Sequence, residues 1–498
     1  MTRVVVVGAG IGGLAAAARL ADLGHAVTVL EQAASVGGQV GVYSRDGFSF
    51  DTGPTTLTLP AVYRDLFRTT GRPLERELDL TPVEPAWHVR FADGVELDLP
   101  NASRARTLQE LRAVFGPESA AEWDAMLRHG ERIWRAVRRS HVEANPAHGL
   151  RRLTTGPGRL RKPGAGRSLR AAAARSLHDA RLRDLLEGKA LHAGLDPRRA
   201  PAIFLAVPYV EHTFGTWYVP GGMRRLAEAV ADRAVARGAR LRTSADVVQV
   251  LVTDGRAAGV RLAGGEGVPA DVVVADVQSA QVHSALLDPS AARTDGRRSA
   301  PALPPSVFTV LLALRGRTPS LRHRTILFPA DDDAELEAVF GRDARPADEP
   351  TIHVSAPDDP AMRPSAETEA WTVHVRAPRH GTGSPGTDPG TLDWTTDGLA
   401  ERYADRVLAV LAARGTEVRQ RVLWRVVRTP HDLERETRAP GGATTGPSLA
   451  DLRPLRSRPA NRSSVGGLFL VGGSAPPGGG LAFVGLSAAA VADRVGRA

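Results

Sequence analysis

Three glycines, Gly8, Gly10 and Gly13, follow a run of four valines and precede Leu14-Ala-Ala-Ala-Ala-Arg-Leu20; an acid, Glu31, ends the apolar run Val27-Thr-Val-Leu30. Residue types in this order serve dinucleotide chemistry. Gly8 lets the chain turn sharply, Gly10 lets the main chain approach a pyrophosphate, and Gly13 lets helix and strand pack closely. With Ile11 and Gly12 between them, they place a helix N-terminus, with its unpaired N–H groups and partial positive charge, toward phosphates. Glu31 is suited to accept hydrogen bonds from a ribose diol. The competing interpretation is a tight strand-to-helix turn that binds nothing.

A second cradle of the same kind closes the chain. Gly467-Leu-Phe-Leu-Val471 leads through Gly472, Gly473 and Gly478-Gly-Gly480 to Leu481 and Val484, and a helix is expected over Leu486 to Val495. Strand, glycine-rich turn and helix again assemble main-chain N–H groups. Other chemistry is sparse. Without cysteine there are no disulfides, thiolate nucleophiles or thiolate metal ligands. The fourteen histidines are scattered without HxxxH spacing, so no metal is assigned. No catalytic residue is assigned from sequence. The one candidate is Lys189, as a base or a positioner of water; as a structural residue it would pair with Glu187 or Asp184.

These residues need elements to hold them. The first 95 residues are expected to form the first dinucleotide segment and short strands. From Thr107 to Leu195 apolar residues recur at three- and four-residue spacing, in Leu108 to Phe115 and Glu122 to Val137, which predicts helices. Gly156-Pro-Gly158 and Pro163-Gly-Ala-Gly166 mark a loop there. After Pro220-Gly221-Gly222 a helix is expected over Arg224 to Arg237, then strands over Ala239 to Val252 and Ala257 to Leu262, with Val272 to Asp276 closing the unit. A Pro-, Ala- and Arg-rich connector spans 291–305. β-Branched and aromatic runs at Val307 to Leu314, Thr325 to Phe328, Thr351 to Val354 and Trp371 to Val375 predict a sheet. A loop over Arg379 to Pro389 and a helix over Asp397 to Arg414 follow. Trp217, Tyr218 and His192 are candidates to line a cavity between helices and sheet.

The residues after Glu31 carry a resemblance. Gln32 is followed by Gly37-Gly38-Gln39 and by Gly47-Phe-Ser-Phe-Asp51-Thr-Gly53-Pro54-Thr55. The chain resembles the flavin amine oxidase superfamily and, within it, the bacterial phytoene desaturase family of carotenoid-type dehydrogenases. Thr429-Pro-His-Asp-Leu433 and Gly441-Gly442-Ala443 resemble a later motif of that family, so the likeness covers nearly the whole chain. It implies non-covalent FAD as cofactor. The implied FAD residues are Gly8, Gly10, Ile11, Gly12, Gly13, Glu31, Gln32, Gly38, Gln39, Gly53, Pro54, Thr55, Val247, Gly472, Gly473, Leu481 and Val484, with Val247 meeting adenine through its backbone. The implied fold is α/β, with a Rossmann-type FAD-binding domain from discontinuous segments, 1–95, 211–290 and 430–498. An α+β substrate domain adds a helical part, 96–210, and a sheet part, 300–429. The chain departs from the family at Gln39, where arginine is common, at Asp276-Val277-Gln278, where an Asn-Ala-Asp-like triplet is common, and at Ala482-Phe483 and Leu186 to His192.

The implied activity is loss of hydride and proton across a C–C bond of an apolar isoprenoid. The alternatives are an amine-oxidase-type enzyme acting on C–N, and a non-redox FAD-dependent isomerase or binding protein. Composition is that of a globular protein, 42% hydrophobic and 24% charged, and 498 residues imply two or three domains. The net charge of +9 is carried almost wholly by arginine, as Lys162 and Lys189 are the only lysines. No nucleic-acid-binding motif accompanies it. The basic stretch from Arg128 to Arg183 suits either a solvated helix face or an anionic membrane surface. With no secretory signal before Arg3 and no long apolar run, a cytoplasmic protein, peripheral to the membrane's inner face at most, is expected.

Overall fold

The four valines of the strand Arg3–Val7 are at most 4% exposed, because the strand lies in the middle of a parallel sheet covered on both faces. In this computed structural model, which describes residues 1–137, 167–289, 303–382, 389–444 and 461–498, the sheet has five strands. Their order is Arg240–Arg242, Ala26–Leu30, Arg3–Val7, Val272–Ala275 and Leu468–Leu470, all parallel. Three distant stretches of chain thus build one doubly wound sheet. The helix Ile11–Asp22 starts three residues before the expected Leu14. Its alanines, Ala15 to Ala18, are fully buried against the helices Arg224–Ala236 and Leu481–Val495. Gly13 is required at its start, since a Cβ there would lie 2.2 Å from the Gly8 carbonyl oxygen.

The last helix is longer than its expected span. It begins at Leu481, directly after the glycine run, because Gly485 continues the helix instead of ending it. A Cβ on Gly485 would meet Val62 Cγ1 at 2.7 Å, so this glycine serves close packing. The expected strand over Ala239 to Val252 is split into Arg240–Arg242 and Val247–Thr253, with Ser244 at a φ of 51° between them. The second piece begins an antiparallel meander with Arg256–Leu262 and Gly267–Pro269.

The second large sheet has seven strands in the order Val422–Arg428, Ser306–Arg315, Thr368–Ala377, Ile352–Ser355, Arg324–Leu327, Trp87–Arg90 and Glu96–Leu99. Neighbours are antiparallel except Arg324–Leu327 and Trp87–Arg90. Two short strands, Trp87–Arg90 from the expected first segment and Glu96–Leu99 from the expected helical part, join this sheet. Trp87–Arg90 belongs to this sheet, because its apolar alternation pairs Val89 with Ile326 rather than continuing the first segment.

Period-two alternation gives the sheet two apolar faces. Phe308, Val310, Leu312 and Trp371 pack under the helix Leu399–Ala413. Val89, Leu97, Leu99 and Ile326 meet the helical region, with Trp123, Leu185 and Leu186. That region comprises Arg104–Val137, bent at Gly116-Pro117, and Leu169–Ser176, Ala180–His192 and Ala206–Phe214. The loop expected over 156–166 and most of the 291–305 connector lie outside the described residues. No described helix is long and apolar enough to cross a membrane.

Candidate active site

The first cradle forms where the central strands end. Gly8, at a φ of +95°, turns the chain, and its N–H donates to the Leu30 carbonyl at 2.8 Å. Glu31 reaches back along this turn. Its Oε2 accepts from the Ala9 N–H at 2.6 Å and its Oε1 from the Ala33 N–H at 2.8 Å. Gly38 stacks on Gly10, a Cβ on it falling 3.2 Å from Gly10 Cα. Gln39 and Gly53 lie in main-chain contact, so the half-buried Gly53-Pro54-Thr55 segment borders the same loop. Gln32 points outward to the Glu436 carbonyl at 3.2 Å. Val247 is buried two residues after Ala245, whose N–H donates to the Glu31 carbonyl at 2.8 Å.

The second cradle meets the first. Val484 and Gly472 both approach Gly12, and Leu481 begins the last helix with its carbonyl accepting the Tyr63 hydroxyl at 2.8 Å. Gly473 follows Gly472 along this turn and faces Gly479. The fold also brings in a cation: Arg224 Cδ lies 3.5 Å from the position of a Cβ on Gly37. Sequence reasoning missed Arg224, and its place directly after the Pro220-Gly-Gly222-Met223 turn was the available signal.

Between the two cradles lies Asp276. Its carboxylate accepts from the Gly13 N–H at 2.7 Å. A Cβ on Gly10, Gly12 or Gly472 would come within 2.8 Å of one of its oxygens. An oxyanion therefore already occupies the focus of these glycines, as expected of a site built for anionic oxygens. Enclosure by protein raises the Asp276 carboxyl to about 7, against the Gly13 and Gly12 N–H groups that favour the charged form; Glu31 adds to the rise. The residues fit a dinucleotide, with one acid of their own in its place.

A small cavity of about 30 Å3 lies between the helices and the second sheet, lined among others by Trp87, Lys189, His192, Glu211, Phe328 and His353. Lys189 pairs with Glu211, not with Glu187 or Asp184, since two residues along the helix turn it about 200° from Glu187, toward the helix Ala206–Phe214. Glu187 pairs instead with Arg170 at 2.8 Å. Burial alone would raise the Glu211 carboxyl, but Lys189 and Arg324 hold it below the usual carboxylate range. His192 lines this cavity; Trp217 and Tyr218 are placed elsewhere. Trp217 donates to the Phe214 carbonyl at 2.8 Å under Arg64, and Tyr218 donates to Asp359 at 2.9 Å beside His323. They stand on a short strand that pairs with Leu57–Thr58, so the strand's own partners take them. Trp87, Glu211, Arg324 and His353 were missed. Polar residues inside otherwise apolar strands were the signal for the last two. Among the described residues no three His, Asp or Glu side chains gather to hold a metal ion.

Residues 11–355 match the family described as flavin-containing amine oxidoreductase. The chain belongs to that family. It is an oxidoreductase and its cofactor is FAD. Two relatives match along their length. One is a 4,4'-diapolycopene oxygenase from Methylomonas sp, 32% identical over 99% of this chain and 98% of its own. The other is a zeta-carotene-forming phytoene desaturase from Myxococcus xanthus, 31% identical over 99% of this chain and 93% of its own. The same fold is seen in a crystal structure of an oxidoreductase from Methanosarcina mazei, with a TM-score of 0.64 and 19% identity over 99% of this chain and 100% of that one.

Proposed function

We propose that the protein removes hydride and proton across a C–C bond of a linear, apolar isoprenoid chain. The observation that carries this reading is the end-to-end likeness, at 31–32% identity, to two enzymes named for polyene substrates. The largely apolar wall supplied by Trp87, Ile326, Phe328 and Leu185 supports it, since such a wall excludes water from a hydrocarbon.

In this reading Gly8, Gly10, Ile11, Gly12 and Gly13 hold the diphosphate on the helix N-terminus, with Arg224 as the nearby cation that Gln39 does not supply. Glu31 turns its carboxylate to the ribose. Gly53-Pro54-Thr55, Gly472-Gly473, Leu481 and Val484 border the remainder. Bound FAD supplies the acceptor for the hydride. The N-terminus of the helix Leu481–Val495 contributes partial positive charge that steadies added electron density. Lys189 Nζ donates to Glu211 and so orders the cavity wall rather than serving as a free base.

Contact with a membrane surface is part of the proposal. Such substrates partition into bilayers, and residues 138–166 carry seven Lys or Arg against the single acid Glu143. The described arginines flanking them contribute less, because Arg128, Arg135, Arg170 and Arg181 pair with carboxylates of this chain.

The test is an anaerobic titration of the FAD-loaded protein with a hydrocarbon polyene precursor in liposomes. The oxidised flavin band should bleach and the product should be two hydrogens lighter. Bleaching by an amine such as putrescine and by no isoprenoid would replace this reading with C–N oxidation. A flavin that no donor reduces would favour a non-redox role.

A further inference from the structure

The cavity between the helices and the second sheet borders more polar atoms than its own residues pair. His353, 7% exposed, lines it, and neither ring nitrogen has a hydrogen-bond partner among the described residues. Trp87, 9% exposed, lines it too, and its indole Nε1 is likewise without a partner among those residues. The two ring centroids lie 5.7 Å apart. Together they leave an indole N–H, an imidazole N–H and an imidazole lone pair unmet. Burial, followed by Arg376, His374, Arg324 and Lys189, holds His353 well below its usual pKa, so the ring is neutral and keeps that lone pair. Groups of this kind are costly to leave dry.

Two more lining residues supply what a bridge needs. Lys189 has two N–H groups beyond the one it gives to Glu211, and that carboxylate has a second oxygen. Size decides what can bridge them. A water molecule needs about 10–15 Å3 and two to four polar partners. The cavity, at about 30 Å3, admits about two. His192, exposed at the end of its helix, stands beside His353 with ring centroids 4.5 Å apart, so the cavity borders solvent.

We infer that this cavity is a site for about two ordered water molecules, which accept from Trp87 and Lys189 and donate to His353 and the Glu211 carboxylate, with Lys189 as the residue that positions them. The site holds whatever the substrate is. Water with this many partners is fixed in place and is not free solvent. It also solvates charge inside the wall. Glu211 alone faces both Lys189 and Arg324, and the dipoles of bound water share that load. Lys189 thus acts through water, as a positioning residue.

The experiment is a crystal structure of the FAD-loaded protein at about 1.8 Å, with and without xenon pressure. Water density is expected within about 3.2 Å of Lys189 Nζ or the Glu211 carboxylate and of a His353 ring nitrogen, and no xenon should enter. Xenon in the cavity, or no density there, overturns the inference, because xenon occupies dry apolar cavities. His353→Phe keeps the ring's shape and removes its polar atoms. In a hydrated cavity it takes partners from the water, so the holoenzyme should melt lower. In a dry one it removes an unpaired buried group and should melt higher, which also overturns the inference. Lys189→Met should weaken or abolish the water density while His353 stays ordered, with Lys189→Gln in its place if that variant loses flavin. Water density unchanged in the lysine variant would strike out the positioning role of Lys189.

Discussion

Asp276 is expected to set how tightly this chain holds an anionic cofactor. Its carboxylate lies among Gly10, Gly12, Gly13 and Gly472, where diphosphate oxygens would be received. The groups facing it are Glu31 from the second strand, the Tyr63 hydroxyl from the helix Ala61–Thr69 and the N–H groups of Gly12 and Gly13. Its carboxyl is raised to about 7 by enclosure, so it is largely neutral below that pH and ionised above. An ionised carboxylate repels a diphosphate; a neutral one does not. FAD affinity should therefore weaken as pH rises from 6 to 8, with a proton taken up on binding. Asp276→Asn should remove that slope and tighten binding at pH 8 by about tenfold, a change of about 1.4 kcal/mol. Quenching of FAD fluorescence during titration measures both. Equal slopes in the two proteins would show that another group controls the effect. Lys189 teaches the complementary lesson: scarcity made it conspicuous, but its geometry is that of half an ion pair.

At the scale of elements, two buried acids fasten the turn before the helix Arg224–Ala236. Asp51, at the end of the strand Phe48–Asp51, accepts from the Met223 N–H at 2.8 Å. Asp359 accepts from the Gly221 N–H at 2.6 Å and from the Tyr218 hydroxyl. Burial raises the Asp51 carboxyl to about 7, with the Met223 and Arg224 N–H groups opposing and Asp359 adding to the rise. The folded chain thus binds a proton at Asp51 between roughly pH 4 and 7 that the unfolded chain lacks, so this group's contribution falls as pH rises through that window. Asp51→Ala should cost about 1–3 kcal/mol by leaving the Met223 N–H unpaired. Asp51→Asn keeps an acceptor and should melt at or above the parent temperature at pH 8, with a smaller difference at pH 5. A thermal melt of the three proteins at both pH values checks this. An alanine variant as stable as the parent would remove Asp51 from its fastening role.

For the whole molecule, the question is how a protein with no described membrane-spanning helix reaches a bilayer-dissolved substrate. If residues 138–166 supply the contact, sedimentation with anionic liposomes should be substantial in low salt and lost by about 0.5 M salt, where the screening length shrinks to a few ångströms. Replacing five of the seven basic residues, Arg151, Arg152, Arg159, Arg161 and Lys162, with glutamine should abolish sedimentation while leaving FAD binding intact. Equal sedimentation with neutral vesicles would point to apolar insertion instead, and none at all would leave the basic residues as a solvated surface.

The local rules were enough for the dinucleotide sheet. A valine run, three glycines at fixed spacing and an acid at the end of the next strand specify a turn whose geometry allows few alternatives, and the structure places them within hydrogen-bond reach of one another. Four strands of the second sheet were legible, because runs such as Ser306–Arg315 and Thr368–Ala377 are apolar and β-branched whatever they pair with, whereas Glu96–Leu99 and Val422–Arg428 were not read as strands. Pairing itself was not legible. That Trp87–Arg90 lies beside Arg324–Leu327 depends on contacts more than two hundred residues apart, and no periodicity encodes them. The same holds for the cavity. His353, Arg324 and Trp87 are unremarkable within their own segments, and Trp217 and Tyr218 look like better lining residues than they are. Only when sheet and helices close does burial leave His353 without a hydrogen-bond partner among the described residues, since desolvation is a property of the assembled surroundings and not of the residue.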